Sequence, residues 1–295
     1  MTSTSLDLSQ KPDLLPLARV VHALQAIAVG EGLEFFLMGA AARDVMLQHA
    51  HNVDVQRMTK DADFAVMVRD WDTFEALRRK LLASGEFEPR QGPPTHRLLF
   101  KGGLPLDIVP FGGVERPDRT ISWPPDHETI YDCFGAREAF DTSVVVLLPD
   151  GIELRVASIP ALALLKVTAW HDRKLTDPGR DAPDLLLYLK SYLDCGNLDR
   201  ATSDHRDLFE VEDYDYEIAG ARLLGRDLIK VLDRPSACRV LEILAPEAES
   251  KGPLLLANQS GLDLERARQL VEALCRELTR YAGEYGLGKA ELTNG

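Results

Sequence analysis

Two aspartates separated by one residue, Asp61 and Asp63, are the side chains whose chemistry is easiest to name. They stand at the start of a mostly apolar run, Phe64 to Val68, that predicts a strand buried in a sheet. Side chains alternate along a strand, so both carboxylates would lie on one face. Mg²⁺ is a hard cation that prefers carboxylate oxygens. The pair therefore indicates a metal site, although surface strands and turns also carry this spacing.

A third acid, Asp107, lies in the stretch from Arg97 to Phe111. Two apolar runs around Gly102-Gly103 in this stretch predict a hairpin. Asp107 alternates out of its apolar strand and points the opposite way from its neighbours. It is either a third metal ligand or a solvent-facing aspartate on a half-exposed sheet.

Upstream, residues 33–46 predict an apolar strand, a glycine and then a helix. Gly39 would let the backbone turn sharply and approach a ligand closely. The free N–H groups at the helix start, at Gly39 and Ala40, are suited to phosphate oxygens. Arg43 would add a charge-assisted bond to a triphosphate. The alternative is that Gly39 only makes the turn and that Arg43 pairs with Asp44.

A second group of polar residues follows in a part of the chain that predicts helices. A helix over residues 158–173, with Ser158 as N-cap, carries Lys166, and another helix begins at Asp181 and Asp184. An Asp-x-x-Asp before an apolar run is also expected from helix capping alone. Lys166 could equally extend from a buried helix to water.

Composition and patterning predict two domains. Residues 1–157 are expected to form an α/β domain and residues 158–295 a helical one. Within the first domain, residues 15–29 and 71–83 predict amphipathic helices, and residues 143–156 predict a second hairpin. A chain of 295 residues with 45% hydrophobic content is long enough to bury more than one core.

Charge, cysteine usage and hydropathy bear on partners and location. The net charge of −13 opposes non-specific binding to phosphate backbones without excluding a local basic patch. No signal peptide is expected, and the longest apolar stretch, around Ile159 to Leu165, is too short to span a bilayer. The four cysteines form neither a metal-ligand spacing nor a disulfide frame, so we expect a cytoplasmic protein with reduced thiols and no membrane partner.

The order of strand, glycine, helix, Asp61-x-Asp63 and a later strand with Asp107 resembles the DNA polymerase β-like nucleotidyltransferase superfamily. The resemblance implies an α+β fold, in which a nucleotidyltransferase sheet with flanking helices precedes an all-helical C-terminal region. It also implies that the three aspartates hold two divalent ions, Mg²⁺ or Mn²⁺, which bind a nucleoside triphosphate (NTP) and activate an attacking hydroxyl. The chain departs from this pattern at Gly39-Ala40-Ala41, where the superfamily has a serine or threonine.

The lysine-bearing helix followed by Arg180-Asp181-x-x-Asp184 resembles the AbiEii/AbiGii-type nucleotidyltransferases, including the MenT-like toxins. The resemblance implies that Lys166 and one downstream aspartate, Asp184 in preference to Asp181, are needed for activity. Lys166 would reach the triphosphate, and the aspartate would orient a cation or take a proton from the acceptor. The nucleotide-binding residues expected on this basis are Gly39, Ala40, Arg43, Lys166 and Asp181.

The predicted function is transfer of a nucleoside monophosphate from an NTP to an acceptor hydroxyl. The resemblance implies the toxin of a toxin–antitoxin or phage-defence system, with tRNA as acceptor and a cognate antitoxin as a possible partner. Two alternatives stay open. One is an antibiotic-type nucleotidyltransferase acting on a cationic small molecule, and the other is a catalytically inactive nucleotide- or partner-binding module.

Overall fold

The computed structural model describes residues 5–55, 57, 59, 61–90 and 96–284, and every predicted site residue lies within these ranges. The chain divides into two compact units, residues 1–162 and 163–295. The division falls inside helix Ile159–Arg173, a few residues after the domain boundary predicted between residues 157 and 158.

A mixed sheet forms the first unit. Its strands, numbered in chain order, lie side by side in the order 1-9-10-2-3-6-5-4. Strands 7 and 8 form a separate antiparallel pair. Both hairpins predicted from the sequence are present, because the fifth and sixth strands and the ninth and tenth strands pair antiparallel. Among the described residues the strands are β1 (Ser5–Asp7), β2 (Phe35–Met38), β3 (Ala62–Val68), β4 (Phe87–Pro89), β5 (Arg97–Phe100), β6 (Pro105–Gly112), β7 (Thr120–Ser122), β8 (Ile130–Asp132), β9 (Val144–Leu147) and β10 (Glu153–Val156).

The three strands at the centre of this sheet carry the predicted acidic site. β3 pairs antiparallel with β2 and parallel with β6. Phe36, Phe64 and Phe111, one from each strand, are fully buried. The rings of Phe36 and Phe111 meet edge to face with centroids 5.8 Å apart, a geometry that aromatic pairs favour. This packed core fixes the relative positions of the three strands.

The helices of the first unit follow the predicted order. α1 (Leu15–Ala28) and α3 (Trp71–Ala83) match the predicted amphipathic helices. The Asp70 carboxylate caps α3 by accepting a hydrogen bond from the Thr73 N–H. α2 continues directly into a π-helical segment, Asp44–His49. The α-helices of this unit, among its described residues, are α1 (Leu15–Ala28), α2 (Gly39–Arg43), α3 (Trp71–Ala83) and α4 (Ala136–Asp141).

One segment of the described residues, Pro12–Glu31, is long and apolar enough to cross a membrane by length and composition, with a mean hydropathy of 1.3. The stretch singled out from the sequence, around Ile159 to Leu165, is an unbroken apolar run, whereas polar residues interrupt Pro12–Glu31. Val20, Val21 and Leu24 of this segment are buried in the first unit. Its apolar composition therefore matches that of a core helix.

The second unit is helical, as predicted. α8 and α11 form its centre, where Leu224, Leu228, Leu274 and Leu278 are fully buried. With α5, which begins in the first unit, the described α-helices are α5 (Ile159–Arg173), α6 (Ala182–Ser191), α7 (Leu198–Asp204), α8 (Tyr216–Val231), α9 (Arg234–Ala248), α10 (Leu255–Gln259) and α11 (Leu264–Glu284).

Ser158 departs from the role predicted for it. Its carbonyl accepts from the Leu162 N–H, so it stands at the start of α5. Its hydroxyl oxygen, however, is buried and has no hydrogen-bond partner. The expectation of a side-chain N-cap was wrong, because sequence spacing identifies the cap position but not the rotamer of the side chain.

Candidate active site

Asp63 and Asp107 lie side by side on the sheet. β3 and β6 run parallel, and their register places Asp63 directly opposite Asp107. Adjacent strands are about 4.8 Å apart and paired residues project to the same face, so the two carboxylates share one face. Both residues are half-buried. This is the juxtaposition that the metal-site prediction requires.

Gly39 lies against Asp63. It follows Met38, which pairs with Asp63 across β2 and β3, and its φ of +69° is in the left-handed region. A Cβ added at Gly39 would lie 2.1 Å from Asp63 Oδ2. Glycine is therefore needed here for two reasons, the backbone conformation and the close approach of a carboxylate.

Asp61 is placed differently from the prediction. β3 begins at Ala62, so Asp61 precedes the strand, is exposed, and accepts a hydrogen bond from Thr59 Oγ1. Within the described ranges, no three His, Cys, Asp or Glu side chains form a group that could hold a metal ion. The structure thus brings together two of the three predicted ligands, with the third two residues away along the chain.

Arg43 makes contacts within the protein. It is 4% exposed, and its guanidinium donates to Asp44 Oδ1 and to the carbonyl of Arg57. Asp44 Oδ2 in turn accepts from the Thr59 N–H at 3.0 Å. This is the pairing with Asp44 that the sequence left open, and it holds the segment leading to Asp61. Contact between Arg43 and a nucleotide stays a prediction.

Two basic side chains that the sequence analysis did not single out flank Asp107. His96 Nε2 and Arg97 Nε each lie 3.6 Å from Asp107 Oδ2. Arg97 pairs with Asp107 across β5 and β6, and an antiparallel register read from the hairpin would have identified it. His96 precedes β5 in the chain, and no periodic pattern marks it.

In the second unit, Lys166 joins both predicted aspartates. Its Nζ lies 2.9 Å from Asp181 Oδ1 and 2.7 Å from Asp184 Oδ2. Arg173 adds two-pronged bonds to Asp181 at 2.7 to 3.0 Å. Arg180 instead pairs with the exposed Asp177. Lys166 and the acids of α6 therefore form one ion network with Arg173.

Asp181 stands at the N-cap position of α6, but its side chain makes no capping bond. Capping alone therefore does not explain this aspartate. Burial by itself would raise the pKa of Asp181, whereas Lys166 and Arg173 together outweigh burial and hold that pKa below its ordinary value. Asp181 is thus an ionised carboxylate held between two cations.

The carboxylate donors of the first unit are of the type that a hard divalent cation prefers, and two of them lie together. Asp63 and Asp107 provide oxygen donors from neighbouring strands, and the space that a Cβ at Gly39 would fill is taken by an Asp63 oxygen. Asp61 is the nearest further acid along the chain. The metal ions that accompany a bound nucleoside triphosphate would offset the negative charge of these carboxylates.

These features define a nucleotidyltransferase fold: a mixed sheet, a strand–glycine–helix turn, and in-register acids on two central strands. The chain belongs to the AbiEii family, since the model described as "Nucleotidyl transferase AbiEii toxin, Type IV TA system" matches residues 22–228. It is accordingly a nucleotidyltransferase of the toxin class. The match runs from α1 through most of α8 and leaves α9 to α11 outside.

Solved structures similar to this chain are nucleotidyltransferases of low sequence identity. An antigenic nucleotidyltransferase-like protein from Paracoccidioides brasiliensis is 17% identical, with a TM-score of 0.40, 65% of this chain covered and 90% of that one. ANT(2")-Ia in complex with adenylyl-2"-tobramycin is 14% identical, with a TM-score of 0.37 and coverage of 72% and 99%. The Thermotoga maritima CCA-adding enzyme in complex with tRNA is 13% identical, with a TM-score of 0.28 and coverage of 97% and 90%. Among curated proteins, no sequence matches this chain.

Proposed function

We propose that this toxin is a divalent-metal-dependent enzyme that transfers a nucleoside monophosphate from an NTP to a hydroxyl group of tRNA, with release of pyrophosphate. The observation that carries the proposal is the register of β3 and β6, which sets Asp63 opposite Asp107 beside Gly39. A pair of acids on a central sheet costs stability through repulsion unless a positive group serves them both.

In this proposal Asp61, Asp63 and Asp107 hold two Mg²⁺ or Mn²⁺ ions. Such ions stabilise charge on the attacking and leaving oxygens of a phosphoryl transfer. The backbone N–H groups of Gly39 and Ala40 bind phosphate oxygens at the start of α2. Arg43 contributes by fixing, through Asp44, the segment that carries Asp61.

In the second unit, the proposal assigns roles to Lys166 and Asp184. The two acids on Lys166 keep its ammonium group extended and fixed, so it can bind a phosphate without first losing rotamer freedom. Asp181 holds both Lys166 and Arg173 and is needed for that arrangement. Proton transfer from the acceptor hydroxyl is assigned to Asp184, which is the more exposed of the two acids.

The tRNA acceptor must be reconciled with a net charge of −13. Specific binding of RNA uses local contacts to phosphates and bases, and bound divalent ions offset several of the counted acids. Arg173, Lys174 and Arg180 follow Lys166 closely in the chain and are the basic side chains proposed to contact RNA phosphates. The proposal places the protein in the cytoplasm, where NTPs and tRNA are found, together with a cognate antitoxin and a role in phage defence.

The test is incubation of the full chain with each radiolabelled NTP, Mg²⁺ and total tRNA, followed by separation of the RNA. We expect label on tRNA from one NTP in preference to the others, and none after addition of a chelator. An Asp63→Asn variant is the negative control. Label on an aminoglycoside but not on tRNA would replace the proposed acceptor with a small molecule. NTP binding without transfer to any acceptor would identify an inactive binding module.

A further inference from the structure

His96 is a buried polar side chain without a hydrogen bond. It is 1% exposed, and within the part of the chain that the structure describes neither Nδ1 nor Nε2 has a hydrogen-bond partner. Buried polar atoms are nearly always paired, because removing them from water without a partner is unfavourable. An unpaired buried imidazole beside acids therefore needs an explanation.

The described residues around His96 are mostly aromatic or aliphatic. Its ring packs against Trp123 and Tyr131, with centroids 4.9 and 5.8 Å away. The cavity next to it is about 10 Å³ and, apart from His96 and Arg78, is lined by apolar side chains of α3, β5 and β6. This is at the lower limit for one water molecule, which would also need two or more polar partners.

The polar group that Nε2 faces is Asp107. Nε2 lies 3.6 Å from Asp107 Oδ2, a few tenths of an ångström beyond hydrogen-bond distance. Arg97 approaches the same oxygen from an exposed position. His96 and Arg97 thus both approach Oδ2 of Asp107. The second oxygen of this carboxylate is Oδ1.

We propose that His96 is a positioning residue for Asp107. The imidazole donates from Nε2 to Oδ2, an approach of only a few tenths of an ångström from the distance observed, and this bond would direct Oδ1 to a divalent cation. Hydrogen bonds to ligating carboxylates fix their orientation, and their loss typically weakens metal binding about 10- to 100-fold. The inference rests on the proposed function, in which Asp107 is a metal ligand.

The first experiment measures Mn²⁺ affinity of the full chain by electron paramagnetic resonance, independently of turnover. His96→Phe retains an aromatic ring against Trp123 and Tyr131 but lacks the donor, and we expect Mn²⁺ binding about 10- to 100-fold weaker. His96→Gln places an amide N–H near the position of Nε2, and we expect affinity within a few-fold of the wild type. Thermal unfolding of each variant verifies that it folds.

The second experiment tests the hydrogen bond itself. In ¹⁵N-histidine spectra, we expect an Nε2–H signal for His96 that shifts in the Asp107→Asn variant. If Mn²⁺ binds neither the wild type nor the variants, the proposed function fails, while the spectra still decide whether His96 bonds to Asp107. If the wild type and His96→Phe bind Mn²⁺ equally, or if His96→Gln binds as weakly as His96→Phe, the positioning role of His96 is overturned.

Discussion

The two acidic clusters of this protein differ in how closely the chain's own cations serve them. In the second unit, Asp181 and Asp184 meet Lys166 at 2.9 and 2.7 Å, and Arg173 binds Asp181 with both prongs. In the first unit, His96 Nε2 and Arg97 Nε, the described basic groups beside Asp107, each lie 3.6 Å from its Oδ2.

This difference indicates that the two acidic clusters have different roles. A closed network of alternating charges has little attraction for a further cation, and its acids hold basic side chains in place. Two carboxylates side by side on one face of a sheet present the oxygen donors that a hard cation prefers. The proposal therefore assigns metal binding to the Asp63 and Asp107 pair, and the fixing of a basic group to the Lys166 network.

The largest expected effect comes from Asp63→Asn. This change keeps the shape of the side chain and removes one negative charge, so it should lower transfer at least about 10³-fold because several kcal/mol of metal-borne charge stabilisation is lost. The melting temperature should stay near that of the wild type. Single-turnover transfer of labelled NTP measures the effect.

The matched control is Asp72→Asn, an exposed aspartate in the first turn of α3. It should leave activity unchanged and lower the melting temperature only slightly, because an acid in the first turn interacts favourably with the helix dipole. If Asp63→Asn retains near-normal transfer, the metal assignment in the first unit is wrong and the comparison of the two clusters loses its basis.

Lys166→Met should act on stability as well as on activity. Removing one partner of a buried ion network typically costs about 3 to 5 kcal/mol, and the partial exposure of Lys166 places this variant near the lower figure. The free energy of unfolding from chemical denaturation measures it. The double variant Lys166→Met with Asp184→Leu should recover part of the loss, because the stranded acid is removed too. Loss of transfer with unchanged stability would instead assign Lys166 to the substrate alone.

Gly39→Ala should perturb the first cluster through geometry. The added Cβ would fall 2.1 Å from Asp63 Oδ2 at a φ of +69°, so the carboxylate must move. We expect transfer about 10- to 100-fold lower, as for small displacements of positioned groups, and a stability loss of about 1 to 2 kcal/mol from the backbone conformation.

Gly151→Ala separates these two effects. Gly151 has a φ of +71°, and a Cβ there would meet nothing within 4 Å. It should therefore show a similar loss of stability with full activity. Equal activity of the two alanine variants would contradict the role of the Gly39 contact.

Sequence patterns predicted the elements of this fold because hydrophobic periodicity is a local property. They predicted α3 at its observed bounds and both hairpins. They also indicated Asp63, by its spacing from Asp61, and Asp107, which alternates out of an apolar strand. Periodicity does not report the register between β3 and β6, which is set by packing across the sheet.

The rest of the site depends on contacts between distant parts of the chain. Arg43 carries the same signal whether it meets a phosphate or Asp44. His96 lies outside any periodic pattern, and its burial follows from the packing of Trp123 and Tyr131. Asp181 fits a capping motif, yet its side chain reaches Arg173 and Lys166. In each case the contacts depend on the direction of the side chain, which the sequence pattern does not specify.

The smallest expected effect is a pH dependence of the second cluster. The pKa of Asp181 is lower in the folded protein than its ordinary value of about 3.9. The ionised form is therefore favoured by folding, and its contribution to stability is complete above about pH 4 and is lost as the pH falls through the folded-state pKa. Asp181→Asn should lower the melting temperature at pH 7 and reduce the steepness of its decline below pH 4. Asp177→Asn, at an exposed pair, should change the melting temperature little at either pH. An unchanged acid profile in Asp181→Asn would mean that the Lys166 network is not the closed cluster that its distances indicate.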